Sequence, residues 1–255
     1  MKLFDSHAHY EDDQFAEDRH ERLEALRKSE VAMVLNCCSD VSVFDTVIEI
    51  LDRHDFVYGS IGVHPHWVTR TPENFLDLIR RYAKHPKVAA IGEMGLDYFF
   101  DEPKPLQKRI FREQLELAKE LDLPVIIHDR DAHEDVMEIL EEYQPAGILH
   151  RFGGPVELLK KAFSLGMYVS FNNDLSYPAW RQPHIDCLME TPWERLLIET
   201  DCPFAPPFER SAERCESSDV KNVVSLIAKL RNVSEEFVAE ISYENAKRVY
   251  RIGNP

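Results

Sequence analysis

The sequence lacks a C-x-x-C pair, a long apolar run and an early hydrophobic leader. Its five cysteines, at positions 37, 38, 187, 202 and 215, are odd in number, which argues against a disulfide framework and favours a reducing compartment. No apolar stretch approaches the ~20 residues that a membrane span needs, and charge arrives too early for a signal peptide. We therefore predict a cytoplasmic protein with no membrane partner.

Basic side chains are also scarce. Lys and Arg number 30 against 46 Asp and Glu, so the formal net charge is −16. Such a balance argues against broad nucleic-acid binding through an overall basic surface. A bound cation or a local basic patch can still hold a phosphate, so a nucleic-acid substrate is not excluded.

No Gly/Ser-rich linker, low-complexity tract or change of composition divides the 255 residues. Short apolar runs alternate with helix-period segments eight times, and near-continuous runs such as VAMVLNCC are typical of parallel strands covered on both faces. The predicted strands are Leu3–His9, Val31–Cys38, Val57–His64, Val88–Leu96, Pro124–Asp129, Gly147–Phe152, Met167–Asn172 and Arg195–Asp201. The predicted helices are 17–29, 41–54, 72–84, 105–121, 132–143, 155–164, 184–191, 217–231 and 234–251.

This alternation predicts the α/β class and one (β/α)8 TIM-barrel domain over residues 1–255. A doubly wound open sheet is the alternative. No GxGxxG motif follows the first strand, which disfavours a dinucleotide-binding version of that sheet. The stretch 202–218, rich in Pro, Ser and charge, is predicted to be a long loop after the last strand.

Side chains that bind metals stand where predicted strands end. They are His7, His9, Glu93, His128, His150 and Asp201. Each alone has an ordinary explanation, such as a hydrogen-bonded core histidine, a salt bridge or a helix cap. In a barrel, however, the C-terminal ends of the strands meet on one face and form the active site. The combination therefore predicts a metal centre at that face.

Strand alternation refines this prediction. His7 and His9 are two residues apart, so both side chains point to the same face. Glu199 shares the face of Asp201 but lies deeper, which makes Asp201 the expected ligand. A buried acid costs several kcal/mol unless it is paired or bound to a cation, so Glu93 and Asp201 need a compensating charge.

Several motifs together resemble the TatD family of deoxyribonucleases, within the amidohydrolase-like metal-dependent hydrolases. The resemblance covers nearly the whole chain. The matching segments are FDSHAHY, GVHPH, IGEMGLDYF, Gln107 with Phe111, Gln114 and Leu115, LPVIIHDRDA, ILHRFGG, ETDCPF and NAKRVYRI. GEMGLDY together with ETDCP is the most specific part of this set.

The resemblance implies a one- or two-metal phosphodiesterase that cleaves DNA with a metal-bound hydroxide. His7, His9 and Asp201 would hold one cation, His128 and His150 a second, and Glu93 would bridge them. Two cations ~3.5–4 Å apart can share a hydroxide and brace a phosphoryl group. Asp201 would accept the proton of the hydroxide, which makes Asp201 and Glu93 the expected catalytic residues.

The same resemblance implies one or two divalent ions, with Mg, Mn or Zn as the candidates, and single-stranded or frayed DNA as the substrate. His64 and Arg130 match family positions and are predicted to contact the phosphates; a structural hydrogen bond and a salt bridge are the alternatives. No obligate protein partner is evident.

Two segments depart from the family pattern. After strand six the family has Cys or Ser and then Phe-Ser-Gly, whereas this chain has Arg151 and Gly153, so a hydroxyl is missing and a charge is added. The family's Arg-Asn-x-Pro segment after strand eight is also absent. Both changes put the substrate preference in doubt. The altered strand-six motif and the net charge of −16 favour a second candidate: an amidohydrolase-like enzyme for a small ester, amide or phosphoester.

Other relatives and a non-enzymatic function fit less well. Small-molecule members often bridge their metals with a modified lysine, where this chain has Glu93. Histidinol-phosphatase-like barrels would end in Asp-x-His, which ETDCP lacks. A barrel that binds a ligand without turnover would have little need for six buried polar groups.

The remaining residues with functional potential are given structural roles. Tyr98, Phe99 and Phe100 are expected to pack under a loop, with base stacking as the alternative. Cys37, Cys38 and Cys202 are expected to be small buried hydrophobes. Two sets are expected to lie at the surface: the acidic runs 11–13 and 141–142, and His20, His54, His85, His133 and His184.

Overall fold

The computed structural model describes residues 1–179 and 181–253. Eight parallel strands form one sheet in sequential order. The strands are β1 (Leu3–Ala8), β2 (Val31–Asn36), β3 (Val57–Ile61), β4 (Val88–Asp97), β5 (Val125–Arg130), β6 (Gly147–Leu149), β7 (Tyr168–Phe171) and β8 (Leu196–Ile198). The α-helices are α1 (Arg19–Leu26), α2 (Phe44–Arg53), α3 (Phe75–Tyr82), α4 (Lys104–Leu121), α5 (His133–Tyr143), α6 (Val156–Ser164), α7 (Arg181–Glu190), α8 (Val220–Arg231) and α9 (Glu235–Val249).

Strand β1 and the chain around β8 close the sheet into a barrel. The Asp201 amide donates to the His7 carbonyl at 2.9 Å, and the His9 amide donates to the Cys202 carbonyl at 2.7 Å. These bonds join the first strand to the segment that follows the last one. The predicted TIM barrel is therefore confirmed, and the open doubly wound sheet is excluded.

The buried side chain of Asp5 strengthens this junction between β1 and the segment after β8. Asp5 accepts hydrogen bonds from the amide of Thr200 at 2.9 Å and from its hydroxyl at 2.6 Å. Burial raises the pKa of Asp5 to about 7, although the hydrogen bonds from Ser217 and Thr200 oppose the shift. The contact fixes the register of β1 against the residues that precede Asp201.

Apolar faces of the strands and helices form the core. The strands are buried along most of their length because helices cover the outside of the barrel. Helix α2, for example, buries Phe44, Val47, Ile50 and Leu51 on one side, as an amphipathic helix does. Among residues 1–179 and 181–253, no helix combines the length and the apolar character that a membrane crossing requires.

Several predicted strands extend too far. Strand β6 ends before His150, and β8 ends before Asp201. Arg151 and Asp201 adopt left-handed backbone conformations, with φ of 49° and 61°, which interrupt the extended conformation of a strand. The chain therefore turns at the mouth of the barrel, and these side chains are carried by the first residues of the turns.

Candidate metal centre

All six predicted donors converge at the C-terminal ends of the strands. The first group surrounds one oxygen of Glu93. Nε2 of His7 and Nε2 of His9 are 3.0 Å apart, and they lie 3.3 and 3.4 Å from Glu93 Oε2. Asp201 Oδ1 lies 3.7 and 3.6 Å from the same two nitrogens.

The second group surrounds the other oxygen of Glu93. Nδ1 of His128 lies 2.9 Å from Glu93 Oε1, and Nε2 of His150 lies 3.0 Å from it. These two nitrogens are 3.3 Å apart. His64 approaches the same oxygen with Nε2 at 3.6 Å. Glu93 therefore stands between two sets of donors and offers one oxygen to each.

These spacings fit divalent cations. Donors that lie ~2.0–2.2 Å from one cation are ~3.0 Å apart in an octahedral shell and ~3.4 Å apart in a tetrahedral shell. The distances within each group fall at or near these values. His7, His9 and Asp201 form one buried group that could hold an ion. The half-buried His64 and His128 form another with the buried Glu93.

The protonation states of the acids suit this role. Burial raises the pKa of the Glu93 carboxyl, but the imidazoles of His150, His64 and His7 hold it well below its usual range. Burial also opposes ionisation of Asp201, whose pKa is nevertheless lowered by the Arg151 guanidinium. Both carboxylates are therefore ionised at neutral pH, as metal ligands must be.

Three carboxylates that were not predicted as site residues hold the outer nitrogens of the imidazoles. Glu11 lies 2.9 Å from His9 Nδ1, Asp97 lies 3.0 Å from His128 Nε2, and Glu199 lies 3.2 Å from His150 Nδ1. Such partners fix the tautomer and the orientation of a ligating histidine and raise its basicity.

Glu11 and Asp97 were not predicted as site residues for two different reasons. The prediction that Glu11 belongs to a solvated acidic run is wrong, because its side chain is buried and also accepts from the Asn36 amide at 3.1 Å. Asp97 could have been found, because it lies at the end of β4 and shares the alternation of Glu93 and Gly95.

Gly95, which lies between Glu93 and Asp97 on β4, permits the contact between Asp97 and His128. Gly95 has a φ of 142°, and a Cβ at this position would overlap the carbonyl oxygen of His128. A residue without a side chain therefore lets β4 approach β5 closely. This approach brings Asp97 to the outer nitrogen of His128.

Arg151, the residue that departs from the family pattern, contacts the centre directly. Its Nη1 donates to Asp201 Oδ2 at 2.8 Å, and its Nε donates to Asp174 Oδ2 at 2.6 Å. Asp174 is buried, and its second oxygen accepts from Nη2 of the arginine at 3.2 Å. The guanidinium thus links a carboxylate on the loop after β7 to Asp201.

The remaining predictions have mixed outcomes. Arg130 is exposed at the end of β5, with its guanidinium carbon 3.8 Å from the ring centre of Phe99. Phe99 is 61% exposed, so the prediction that it packs under a loop is wrong. The three cysteines expected to be buried, Cys37, Cys38 and Cys202, are buried free thiols.

The expectation that five histidines lie at the surface, away from the mouth, is wrong for three of them. His54 is fully buried, and its ring nitrogen lies 2.9 Å from that of His20. His133 and His184 line a cavity of about 460 Å³ beside His150. Arg130 and Arg151 belong both to this cavity and to another of about 400 Å³ that contains the donors.

The chain also matches a family of known proteins. The model of the family described as TatD related DNase matches residues 4–251. The chain belongs to this family. The predictions of a TatD-type, metal-dependent hydrolase and of its family are thereby confirmed, while the identity and the number of the metal ions remain predictions.

Individual TatD relatives match over almost the full chain. The Bacillus subtilis protein named uncharacterized metal-dependent hydrolase YabD is 41% identical over 98% of this chain and 99% of its own. The Erwinia tasmaniensis protein named 3'-5' ssDNA/RNA exonuclease TatD is 29% identical over 98% of this chain and 100% of its own. The crystal structure of YjjV, a TatD homologue from Escherichia coli, superposes with a TM-score of 0.93 at 25% identity, over 98% of each chain.

Proposed function

We propose that this TatD protein is a divalent-metal-dependent nuclease that hydrolyses phosphodiester bonds in single-stranded or frayed DNA, in a single domain over residues 1–255. The observation that carries the proposal is the division of donors between the two oxygens of Glu93. The Erwinia relative, named as an exonuclease of single-stranded DNA and RNA, supports a single-stranded substrate. We also propose that the protein acts in the cytoplasm and needs no obligate protein partner.

The chain's own residues account for most of the chemistry. Divalent cations held by the six donors would acidify a water molecule and stabilise charge on the phosphoryl oxygens. Asp201 is then the proton acceptor, because it is ionised and belongs to the donor cluster. Glu93 contributes negative charge between the two donor groups.

His64 and Arg130 are proposed to hold the phosphate beside the donors. Burial lowers the pKa of His64 to about 3, and the neighbouring His128 contributes to the shift. A neutral His64 donates a hydrogen bond to phosphate but adds no charge. Arg130 is exposed and lines the same cavity, so it can contribute a cation.

The proposed cofactor is one or two ions of Mg, Mn or Zn. Imidazole nitrogens favour Zn, whereas carboxylates and water favour Mg, and Mn accepts both kinds of ligand. Four of the six donors are histidines, so the donor set is closer to the preference of Zn and Mn.

A second candidate is hydrolysis of a small ester, amide or phosphoester. The formal charge of −16 favours this alternative. The position of Arg151 favours it as well, because an arginine bonded to Asp201 also offers a partner for a single small anion.

An assay of the purified protein separates the two candidates. Single-stranded DNA and a panel of small phosphodiesters, esters and amides are each incubated with Mg, Mn, Co or Zn. We expect cation-dependent cleavage of the DNA. If DNA is untouched with every metal while a small ester or amide is turned over, the second candidate is correct.

The salt dependence of DNA binding tests the same proposal. Because the surface is acidic, we expect only one to three phosphate contacts, and each contributes ~0.7 to the slope of log affinity against log salt concentration for a single strand. The slope is measured by titration of a labelled oligonucleotide. A slope that corresponds to ~6–10 contacts contradicts this description of the surface.

A further inference from the structure

Exposed phenylalanines cluster at the mouth of the barrel. Among residues 1–179 and 181–253, the exposed large hydrophobic side chains are Met1, Phe99, Met189, Phe204, Phe208 and Phe237. Phe99 follows β4, and Phe204 and Phe208 follow β8, so these three belong to loops on the face that carries the donors. Phe99 is 61% exposed and Phe204 is 44% exposed.

Phe99 is held in a defined orientation on one side of the centre. The Arg130 guanidinium lies over its ring at 3.8 Å. Phe100 packs edge-on against it, with ring centres 5.2 Å apart and an interplanar angle of 87°. Phe100 in turn stacks on His66, with ring centres 3.9 Å apart. Phe99 is therefore a supported ring that still exposes most of its surface to solvent.

Phe204 lies on the other side of the centre. Its ring centre is 6.1 Å from that of His9, one of the candidate donors. Phe204 and Phe100 line the same cavity of about 400 Å³, which also contains Glu93 and Asp201. The aromatic side chains after β4 and after β8 thus flank the candidate donors.

Stacking is the interaction that this surface can offer to a nucleic acid. The acidic charge balance leaves few cations for phosphates, whereas every base has a π-face that an aromatic ring can bind. Bases in a duplex already stack on each other and cannot use these rings. Exposed rings on both sides of the donors therefore match an unpaired strand that crosses the mouth.

We propose that Phe99, supported by Arg130, and Phe204 form two stacking sites for unpaired nucleobases on opposite sides of the scissile phosphodiester. The inference rests on the proposed nuclease function and adds how the strand is recognised. The sites select single-stranded over double-stranded nucleic acid, and they bind the bases without regard to sequence.

Variants at the two positions test the proposal. Phe99→Leu and Phe204→Leu keep an apolar side chain but remove the flat ring. Phe237→Leu is the matched control, because Phe237 is 41% exposed and lies on α9, outside the mouth. Kinetic constants are measured with added Mn on two labelled single strands of equal length, one with normal bases and one with abasic positions near the cleaved bond.

We expect each mouth variant to raise KM for the normal strand by about 5- to 100-fold, which corresponds to the loss of one stacked base. The value of kcat should change little, KM for the abasic strand should stay near that of the unaltered protein, and Phe237→Leu should match the unaltered protein on both strands. An unchanged KM for the normal strand overturns the proposal. An equal rise on both strands also overturns it, because the rings would then act through structure rather than through bases.

The same experiment separates this inference from the proposed function. If the unaltered protein cleaves neither strand, the nuclease proposal fails and the stacking sites fail with it. If it cleaves the normal strand and the mouth variants cleave it with the same KM, only the stacking sites are rejected.

Discussion

The two sides of Glu93 differ in what stands behind the donors. On the side of β5 and β6, His128 is backed by Asp97 and His150 by Glu199. On the side of β1 and β8, the Glu11 carboxylate contacts the imidazole of His9, but Asp201 is contacted by the positively charged guanidinium of Arg151. No hydrogen bond reaches Nδ1 of His7 from any residue within 1–179 and 181–253.

This difference affects how tightly each side of Glu93 binds a cation and which side holds the proton acceptor. A carboxylate behind an imidazole increases its electron donation and fixes its orientation, which strengthens a metal site. A guanidinium beside a carboxylate has the opposite effect, because it stabilises the ionised acid and competes for its negative charge. We therefore expect the β5–β6 side to hold a cation more tightly. On the β1–β8 side the guanidinium keeps Asp201 ionised, as a proton acceptor must be, although it also makes this carboxylate a weaker base.

The largest expected effect comes from Asp201. Asp201→Asn removes the ionised oxygen that faces His7 and His9 while keeping the shape of the side chain. We expect kcat to fall on the order of 10²–10⁴-fold, the usual contribution of a positioned acid or base. Steady-state kinetics measure the loss, with circular dichroism and metal analysis on the same sample.

The control for that variant is Asp13→Asn, which changes an exposed acid near the start of the chain. It should leave kcat unchanged. A near-normal rate for Asp201→Asn, with normal metal content, would remove Asp201 from the mechanism and with it the proposed asymmetry in reactivity.

The intermediate effect compares the two supporting carboxylates. Asp97→Asn and Glu11→Gln each remove the charge behind one histidine, which typically costs about 10–100-fold in metal affinity or activity. We expect Asp97→Asn to weaken the tighter of two binding events and Glu11→Gln to weaken the other. Titration of metal-free protein with Mn measures both, and identical changes in the two variants would abolish the distinction between the sides.

The smallest expected effect concerns Arg151. Arg151→Met removes a positive charge that lies 2.8 Å from Asp201. Since like charges repel, we expect cation binding on the β1–β8 side to tighten by about tenfold or less. Calorimetric titration measures the change. The double variant Arg151→Met, Asp174→Asn also removes the negative charge behind the arginine and should return affinity toward that of the unaltered protein.

Weaker metal binding in Arg151→Met would contradict this electrostatic explanation. In that case the arginine would act mainly by holding Asp201 in position, and its charge would be secondary. The two sides of Glu93 would then differ in geometry rather than in electrostatics.

The sequence predicted the barrel and the convergence of the donors because both depend on local patterns. Apolar runs mark parallel strands, and a polar residue at the end of a run marks the mouth, as for His128. The support for these donors was harder to predict. Glu11 is buried and accepts a hydrogen bond from Asn36, a contact between the turn after β1 and the end of β2 that no local pattern encodes.

The role of Arg151 could not be predicted for a different reason. Its contacts with Asp174 and Asp201 depend on a left-handed backbone at the end of β6 and on the path of the loop after β7. The sequence shows that Arg151 adds a positive charge, but it does not show which acidic side chains the guanidinium contacts. Phe99 is similar, because an aromatic residue after a strand can pack inward or stand in solvent, and only the loop conformation decides.

The hydrogen bonds between β1 and the segment after β8 also have a consequence for biosynthesis. When His150 has left the ribosome, the growing chain already carries all of the candidate donors except Asp201. That last donor follows α6, β7 and α7, and its backbone amide is bonded to His7 on β1, the first strand of the barrel to be made. The donor group of His7, His9 and Asp201 is therefore completed only when the two ends of the barrel meet, so a nascent or truncated chain that stops before β8 lacks this group.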